Sequence, residues 1–162
     1  MQKQRAEFEY EVYLSSAELS AVDQDLLNMA RAMTSNAYAP YSGFQVSAVA
    51  LLMNGTIISG ANLENASYPA GICAEQSLLG AINAQAPGIA VSTIAISYNG
   101  QKISSDHPIS PCGICRQALT EFEVRTHHSI RLILAGQDGP VYIIPSAKSL
   151  LPLAFTAVEI GH

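Results

Sequence analysis

Apolar residues recur along this chain with two different periods, and the change from one period to the other predicts the order of elements. After Ser15-Ser16-Ala17-Glu18, the residues Leu19, Val22, Leu26, Ala30 and Met33 return at helical spacing. That spacing predicts an amphipathic helix over 16–36, with Ser15 as N-cap and Glu18 completing a capping box. Tyr38-Ala39-Pro40-Tyr41-Ser42-Gly43 ends it. Two apolar runs follow, at 46–53 and 56–59, joined by Asn54-Gly55, a dipeptide that favours a tight hairpin. Ala48-Val49-Ala50-Leu51-Leu52 does not alternate with polar residues, which predicts a strand covered on both faces. Ala61-Asn62-Leu63-Glu64-Asn65 is too polar to continue the hairpin and reads as a loop.

The second half repeats the alternation. Residues 73–85 favour helix, with Pro87-Gly88 as the stop. A strand is predicted over 91–98, turned by Asn99-Gly100. A second short helix runs from Gly113 to about Phe122 and is entered through Pro111. Further strands are expected over 131–135 and 141–144, then a short helix over 146–155 broken at Pro152. Helices interleaved with apolar strands imply an α/β sandwich with a mixed sheet. Residues 1–14 carry mixed charge and the aromatics Phe8, Tyr10 and Tyr13; they read either as an added edge strand or as a loose arm. The expected organisation is a 1–14 extension followed by a single domain over 15–162.

Composition narrows the partners. At 162 residues the chain has room for one core. Hydrophobic residues make up 49% and charged ones 13%, with a mean hydropathy of +0.20. That is apolar for a small monomer, so part of the surface is expected to be buried in an oligomer. A net charge of -5 argues against a polynucleotide partner, because phosphate binding needs a basic stripe. No apolar run reaches the length of about 18 residues that a membrane span needs. Met1-Gln2-Lys3-Gln4-Arg5-Ala6-Glu7 lacks the apolar core of a signal peptide, and a cytoplasmic location is the expectation.

All three cysteines fall in two short motifs, Cys73-Ala74-Glu75 and Pro111-Cys112-Gly113-Ile114-Cys115. Three thiolates can hold a zinc ion and leave its fourth tetrahedral position open, the arrangement of catalytic sites. Glu75 follows the first candidate ligand by two residues, and a carboxylate there can move protons for a water at the open position. Both motifs open predicted helices, whose positive ends stabilise thiolates. Cys112-x-x-Cys115 alone fits a redox pair as well as a metal. The Cys-x-Glu motif and the leading Pro111 decide for metal, since C-x-E with P-C-x-x-C is the cysteine form of a zinc deaminase signature. A structural zinc site would need a fourth ligand, for which His107 is the histidine close in sequence; a solvated loop residue is its simpler reading.

The residues as a set resemble a known family. Tyr38-Ala39-Pro40-Tyr41-Ser42-Gly43-Phe44-Gln45-Val46, Asn62-Leu63-Glu64-Asn65-Ala66-Ser67-Tyr68-Pro69, Cys73-Ala74-Glu75 and Pro111-Cys112-Gly113-Ile114-Cys115-Arg116-Gln117 are similar to motifs of the small homo-tetrameric cytidine deaminases. Leu150-Leu151-Pro152-Leu153-Ala154-Phe155 resembles that family's C-terminal segment, so the match spans about 15–156. The resemblance implies a three-layer α/β/α fold and one Zn²⁺ per chain on Cys73, Cys112 and Cys115. It implies Glu75 as proton shuttle, Asn62 and Glu64 on the ribose hydroxyls, Phe44 against the pyrimidine, and Ala74 as a further substrate-binding residue. Ala66, Tyr68 and Phe155 would help complete a neighbouring subunit's site. The implied reaction is hydrolytic deamination of cytidine and deoxycytidine, a pyrimidine-salvage step. A modified or N4-substituted cytosine nucleoside, or an antibiotic such as blasticidin S, is the alternative substrate. A non-catalytic zinc-stabilised module is a third reading, against which Glu75 speaks. The chain departs from the family in its first 14 residues, in Ser47 where glycine is common, and in Gln76 where arginine is common. A guanidinium at 76 would offset thiolate charge; here helix N-termini, or Arg116 turned inward, would have to do so.

Overall fold

A computed structural model describes residues 1–161; His162, the last residue of the expected 15–162 domain, lies outside the described residues. Six strands form one mixed sheet: β1 (Glu11–Tyr13), β2 (Phe44–Leu52), β3 (Ile57–Ala61), β4 (Val91–Gly100), β5 (Arg131–Ala135) and β6 (Val141–Ile144). Their spatial order is β1-β6-β5-β4-β2-β3, with β4 and β5 parallel and every other pair antiparallel. Three α-helices cover it: α1 (Ala21–Met33), α2 (Ala74–Gln85) and α3 (Gly113–Thr126).

Strand alternation explains the layers. In β5, Leu132 and Leu134 belong to the core under α2 and α3, whereas Ile133 and Ala135 belong to the core under α1. In β2, Ala48, Ala50 and Leu52 face one side and Val49 the other. Both faces are therefore apolar, as the unbroken run in β2 predicted, and the result is an α/β/α sandwich. Ser47, where the resemblance expects glycine, is fully buried; its hydroxyl donates to the Ala30 carbonyl and fastens α1 to β2. Gly60 admits α2 against β3, since a Cβ there would lie 2.4 Å from the Leu78 backbone nitrogen. Among the described residues no helix is long and apolar enough to cross a membrane.

Several boundaries differ from expectation. The first α-helix starts at Ala21 rather than at 16. Ser15 caps only a 3₁₀ turn over Ser16–Glu18, and Ser20 caps α1 by accepting from the Asp23 amide. Two serines five apart compete as caps, and the second wins because it lets Leu19, Leu26, Leu27 and Ala30 share one buried stripe. Val22, expected on that stripe, is 62% exposed at its edge. Asn99 and Gly100 do not turn the chain: they extend β4, opposite Gln45 and Phe44. Ladder pairing there overrides turn propensity. α3 runs one turn past Phe122, to a left-handed His127. The expected tail helix is a 3₁₀ turn over Ala147–Leu150, followed after Pro152 by Leu153 at φ 59. Of the two readings for the first residues, 11–13 take the edge-strand one, as β1 beside β6.

Candidate active site

Two helix N-termini converge beneath one cleft. Cys73 is the N-cap of α2 and Cys112 the N-cap of α3, both in extended backbone. The Cys73 thiol makes no cap hydrogen bond to its own helix and turns toward Cys112. Their Sγ atoms lie 3.7 Å apart, and Cys112 Sγ lies 3.4 Å from Cys115 Sγ. All three sulfurs fall within 4.8 Å of one another. Four ligands at a Zn–S distance of about 2.3 Å define a tetrahedron with edges of about 3.8 Å. The cluster therefore fits one zinc ion, with the face toward the cleft left for a fourth ligand.

The electrostatics support a cation. Burial pushes the Cys73 thiol up, reinforced by the Cys112 thiol and the Glu75 charge. Burial also drives Cys115 far up, with Glu75 and the two other thiols adding to it. Cys112 goes the other way: burial opposes ionisation, but the amides of Cys115 and Ile114 at the start of α3 and the two neighbouring thiols hold it below its ordinary value. At Cys73 and Cys115 burial, the Cys112 thiol and the Glu75 charge oppose ionisation, and a bound divalent cation reverses that logic. Gln76 brings no positive charge. Arg116 does not turn inward either: its Nε donates to the Pro111 carbonyl at 2.8 Å and Nη1 to the Leu150 carbonyl at 3.1 Å. The helix N-termini are the charge compensation the geometry provides.

Glu75, 5% exposed, stands in the first turn of α2, and burial raises its proton affinity. Glu75 forms part of the lining of a cleft of about 650 Å³. Phe44, Asn62, Glu64, Tyr68 and Ala74 line the same cleft together with Cys73 and Cys112. The cleft thus gathers most of the residues named from the sequence. Cys115 is buried behind it. Ala66 and Phe155 do not line it, and Phe155 is 59% exposed, its carbonyl accepting from Gln117 Nε2 at 2.8 Å.

Asn62 and Glu64 each carry a structural duty as well. The Asn62 amide accepts from the Val46 N–H at 2.7 Å and donates to the Phe44 carbonyl at 2.9 Å, gripping the start of β2. One N–H and one lone pair remain for a ligand. Glu64 accepts from the Ser42 hydroxyl, from the Tyr41 amide at 2.8 Å and from the Ser42 amide at 3.3 Å. The Ser42 hydroxyl, then the two amides, hold the Glu64 carboxyl below the usual value. Tyr41, Ser42 and the pair Ile109-Ser110 are also among the lining residues. Tyr41 and Ser42 stood in a quoted motif, whereas nothing local in the sequence marks Ile109 or Ser110.

His107 is not a fourth ligand. Its ring lies edge-on to Tyr98, 5.8 Å between centroids, with Nδ1 3.2 Å from the Tyr98 hydroxyl.

Comparison with known proteins agrees with this geometry. A family model described as the cytidine and deoxycytidylate deaminase zinc-binding region matches residues 20–129. A cytidine deaminase of Halalkalibacterium halodurans is 35% identical over 142 residues, covering 85% of this chain and 97% of that protein. One from Sporosarcina psychrophila is 35% identical over 128 residues, covering 78% and 85%. The crystal structure of a cytidine deaminase from Burkholderia pseudomallei aligns with a TM-score of 0.71 at 34% identity, over 85% of this chain and 100% of that one.

Proposed function

The chain belongs to the cytidine and deoxycytidylate deaminase zinc-binding family, and from that premise we propose that it hydrolyses cytidine and deoxycytidine to uridine and deoxyuridine with release of ammonia. The observation that carries the reading is a buried carboxylate, Glu75, two residues after one thiol of a three-cysteine cluster and open to the same cleft. Cys73, Cys112 and Cys115 would hold the zinc. When bound, zinc supplies Lewis acidity and lowers the pKa of a coordinated water.

Glu75 takes the first proton of the attacking water and delivers it to N3 of the pyrimidine as the water oxygen bonds to C4. The second water proton passes through the same carboxylate to the amine. The C4–N4 bond then breaks, ammonia leaves and C4 becomes a carbonyl. A carboxylate whose burial raises its proton affinity suits a group that must both accept and return a proton. Phe44 packs against the base, and Ala74 leaves room beside it. The free hydrogen-bonding capacity of Asn62 and Glu64 suits the vicinal hydroxyls of a ribose.

The apolar composition and exposed Tyr68, Ile114 and Phe155 support a homotetramer in which Ala66, Tyr68 and Phe155 serve a neighbouring subunit's site. A fully active monomer by light scattering would end that part of the proposal. The reaction is tested by an ultraviolet screen of cytosine nucleosides, nucleotides, free base and N4-substituted analogues on zinc-replete protein. Turnover of cytidine and deoxycytidine is expected. Turnover confined to N4-substituted analogues would transfer the site to the alternative substrate, and no turnover at all would refute the enzyme reading.

A further inference from the structure

Tyr98 is fully buried near the end of β4, and no role in the site as described accounts for it. Its ring lies against Phe44, with centroids 5.1 Å apart and planes 28° from parallel. Strand register produces this contact: Val46 is opposite Tyr98 and Phe44 is opposite Gly100. Phe44 and Tyr98 are therefore diagonal neighbours on one sheet face, within reach for two aromatic rings. The Tyr98 hydroxyl donates to the Ser104 carbonyl at 3.2 Å and meets His107 Nδ1 at the same distance. His107 also reaches the Asp106 carboxylate at 3.1 Å. Beyond these residues the chain runs through Ile109 and Ser110, which line the cleft, to Pro111 and Cys112. One buried ring thus touches the aromatic wall of the cleft and is moored to the segment leading to a metal ligand.

We propose that Tyr98 is a positioning residue for the pyrimidine, setting the plane of the Phe44 ring from behind and tying that plane to segment 104–107. The inference rests on the nucleoside reading above, in which Phe44 packs against the base. Phe44 is fastened through both its backbone and its ring. Its carbonyl is held by Asn62 and its amide by the Ser42 hydroxyl at 2.9 Å; its ring is held by Tyr98. With Tyr98 cut back to an aliphatic side chain, the ring can tip into the freed volume, and the base loses its flat partner. That loss falls on substrate and transition state alike, so affinity weakens while kcat holds. Merely structural damage would lower the active fraction, and with it kcat, without touching affinity.

The experiment measures KM for cytidine, kcat, zinc content and the calorimetric Kd for uridine in the zinc-loaded full chain. Tyr98→Leu is expected to raise KM and the uridine Kd together by about tenfold, with kcat within about twofold and zinc unchanged. Tyr98→Phe keeps the ring and is expected to restore affinity to within about twofold of wild type. His107→Ala removes the same mooring, so its small effect should not add to that of Tyr98→Phe. Unchanged KM and Kd in folded Tyr98→Leu overturns the proposal. If Tyr98→Leu does not fold, the decision passes to Tyr98→Met, which keeps more of the volume but no flat ring. A rise of about tenfold in KM and uridine Kd together then supports the proposal, and unaltered KM and Kd overturn it. Wild-type protein that neither binds uridine nor deaminates cytidine refutes the nucleoside reading itself; active wild type with an indifferent Tyr98→Leu refutes this inference alone.

Discussion

Glu75 and Glu123 stand at opposite ends of the helical layer formed by α2 and α3, and they are buried to nearly the same degree, 5% and 6% exposed. Glu123 accepts from the Ile130 amide at 2.7 Å, the Ala147 amide at 2.8 Å and the Ser146 hydroxyl at 3.0 Å. It ties the end of α3 to the start of β5 and to the turn after β6. Glu75 has no comparable set of amide and hydroxyl donors among the described residues, and it lines the cleft. A buried carboxylate held by three donors from other elements is a fixed joint, because its hydrogen bonds are committed to the fold. A buried carboxylate with capacity to spare is the one that can exchange protons with a ligand. Burial alone does not separate structure from chemistry in this fold; satisfaction does.

The largest expected effect tests the Glu75 side of this contrast. Glu75→Gln preserves shape and hydrogen-bonding reach but cannot accept and return a proton, so kcat should fall by at least about 10³-fold. Zinc content and thermal midpoint should stay near wild type. Activity within tenfold of wild type in a zinc-replete variant would assign the proton shuttle to another group.

Glu123→Ala probes the other end of the layer. It leaves the Ile130 and Ala147 amides without their acceptor, and unfolding in urea should show a loss of about 2–4 kcal/mol. Turnover per folded, zinc-bound chain should remain within about twofold of wild type. A fall in turnover with stability intact would erase the distinction between the two carboxylates.

The smallest effect sharpens the comparison with a third carboxylate, Asp23, held by both Arg131 Nη atoms at 2.7 and 3.0 Å. Burial pushes the Asp23 carboxyl up, but the Arg131 fork and the Ser20 hydroxyl outweigh it and leave the folded value lowered. A lowered folded value means that the stabilisation is complete above the unfolded carboxylate value, about 3.9, and is lost as pH falls through the folded one. Asp23→Asn should therefore cost about 1 kcal/mol at neutral pH. The gap from wild type should close in urea titrations repeated well below pH 4. A gap that persists in acid would show that the contribution of Asp23 is not its charge.

Local sequence patterns were enough to single out the three cysteines that the fold gathers and the carboxylate beside them. Cys73-x-Glu75 and Pro111-Cys112-x-x-Cys115 are local patterns whose spacing within a helix turn brings ligand and carboxylate near each other, and the unbroken apolar run in β2 announced a sheet covered on both sides. Residue type and short separation carry such information because a helix start or a strand face is built from neighbours in the chain. Tertiary structure decided whatever depends on a distant partner. Ser20 displaced Ser15 as the cap of α1 because the buried stripe of that helix had to meet the sheet. Asn99-Gly100 became strand because Phe44 and Gln45 lay opposite with bonds to make. Arg116 went to the Pro111 and Leu150 carbonyls, Asn62 to the edge of β2, and Glu123 to the Ile130 and Ala147 amides. Nor does anything in Val91-Ser92-Thr93-Ile94-Ala95-Ile96-Ser97-Tyr98 mark Tyr98 as the ring behind the cleft wall. A side chain's direction is settled by the donors, acceptors and cavities that folding brings to it, and these come from parts of the chain that no local spacing can reach.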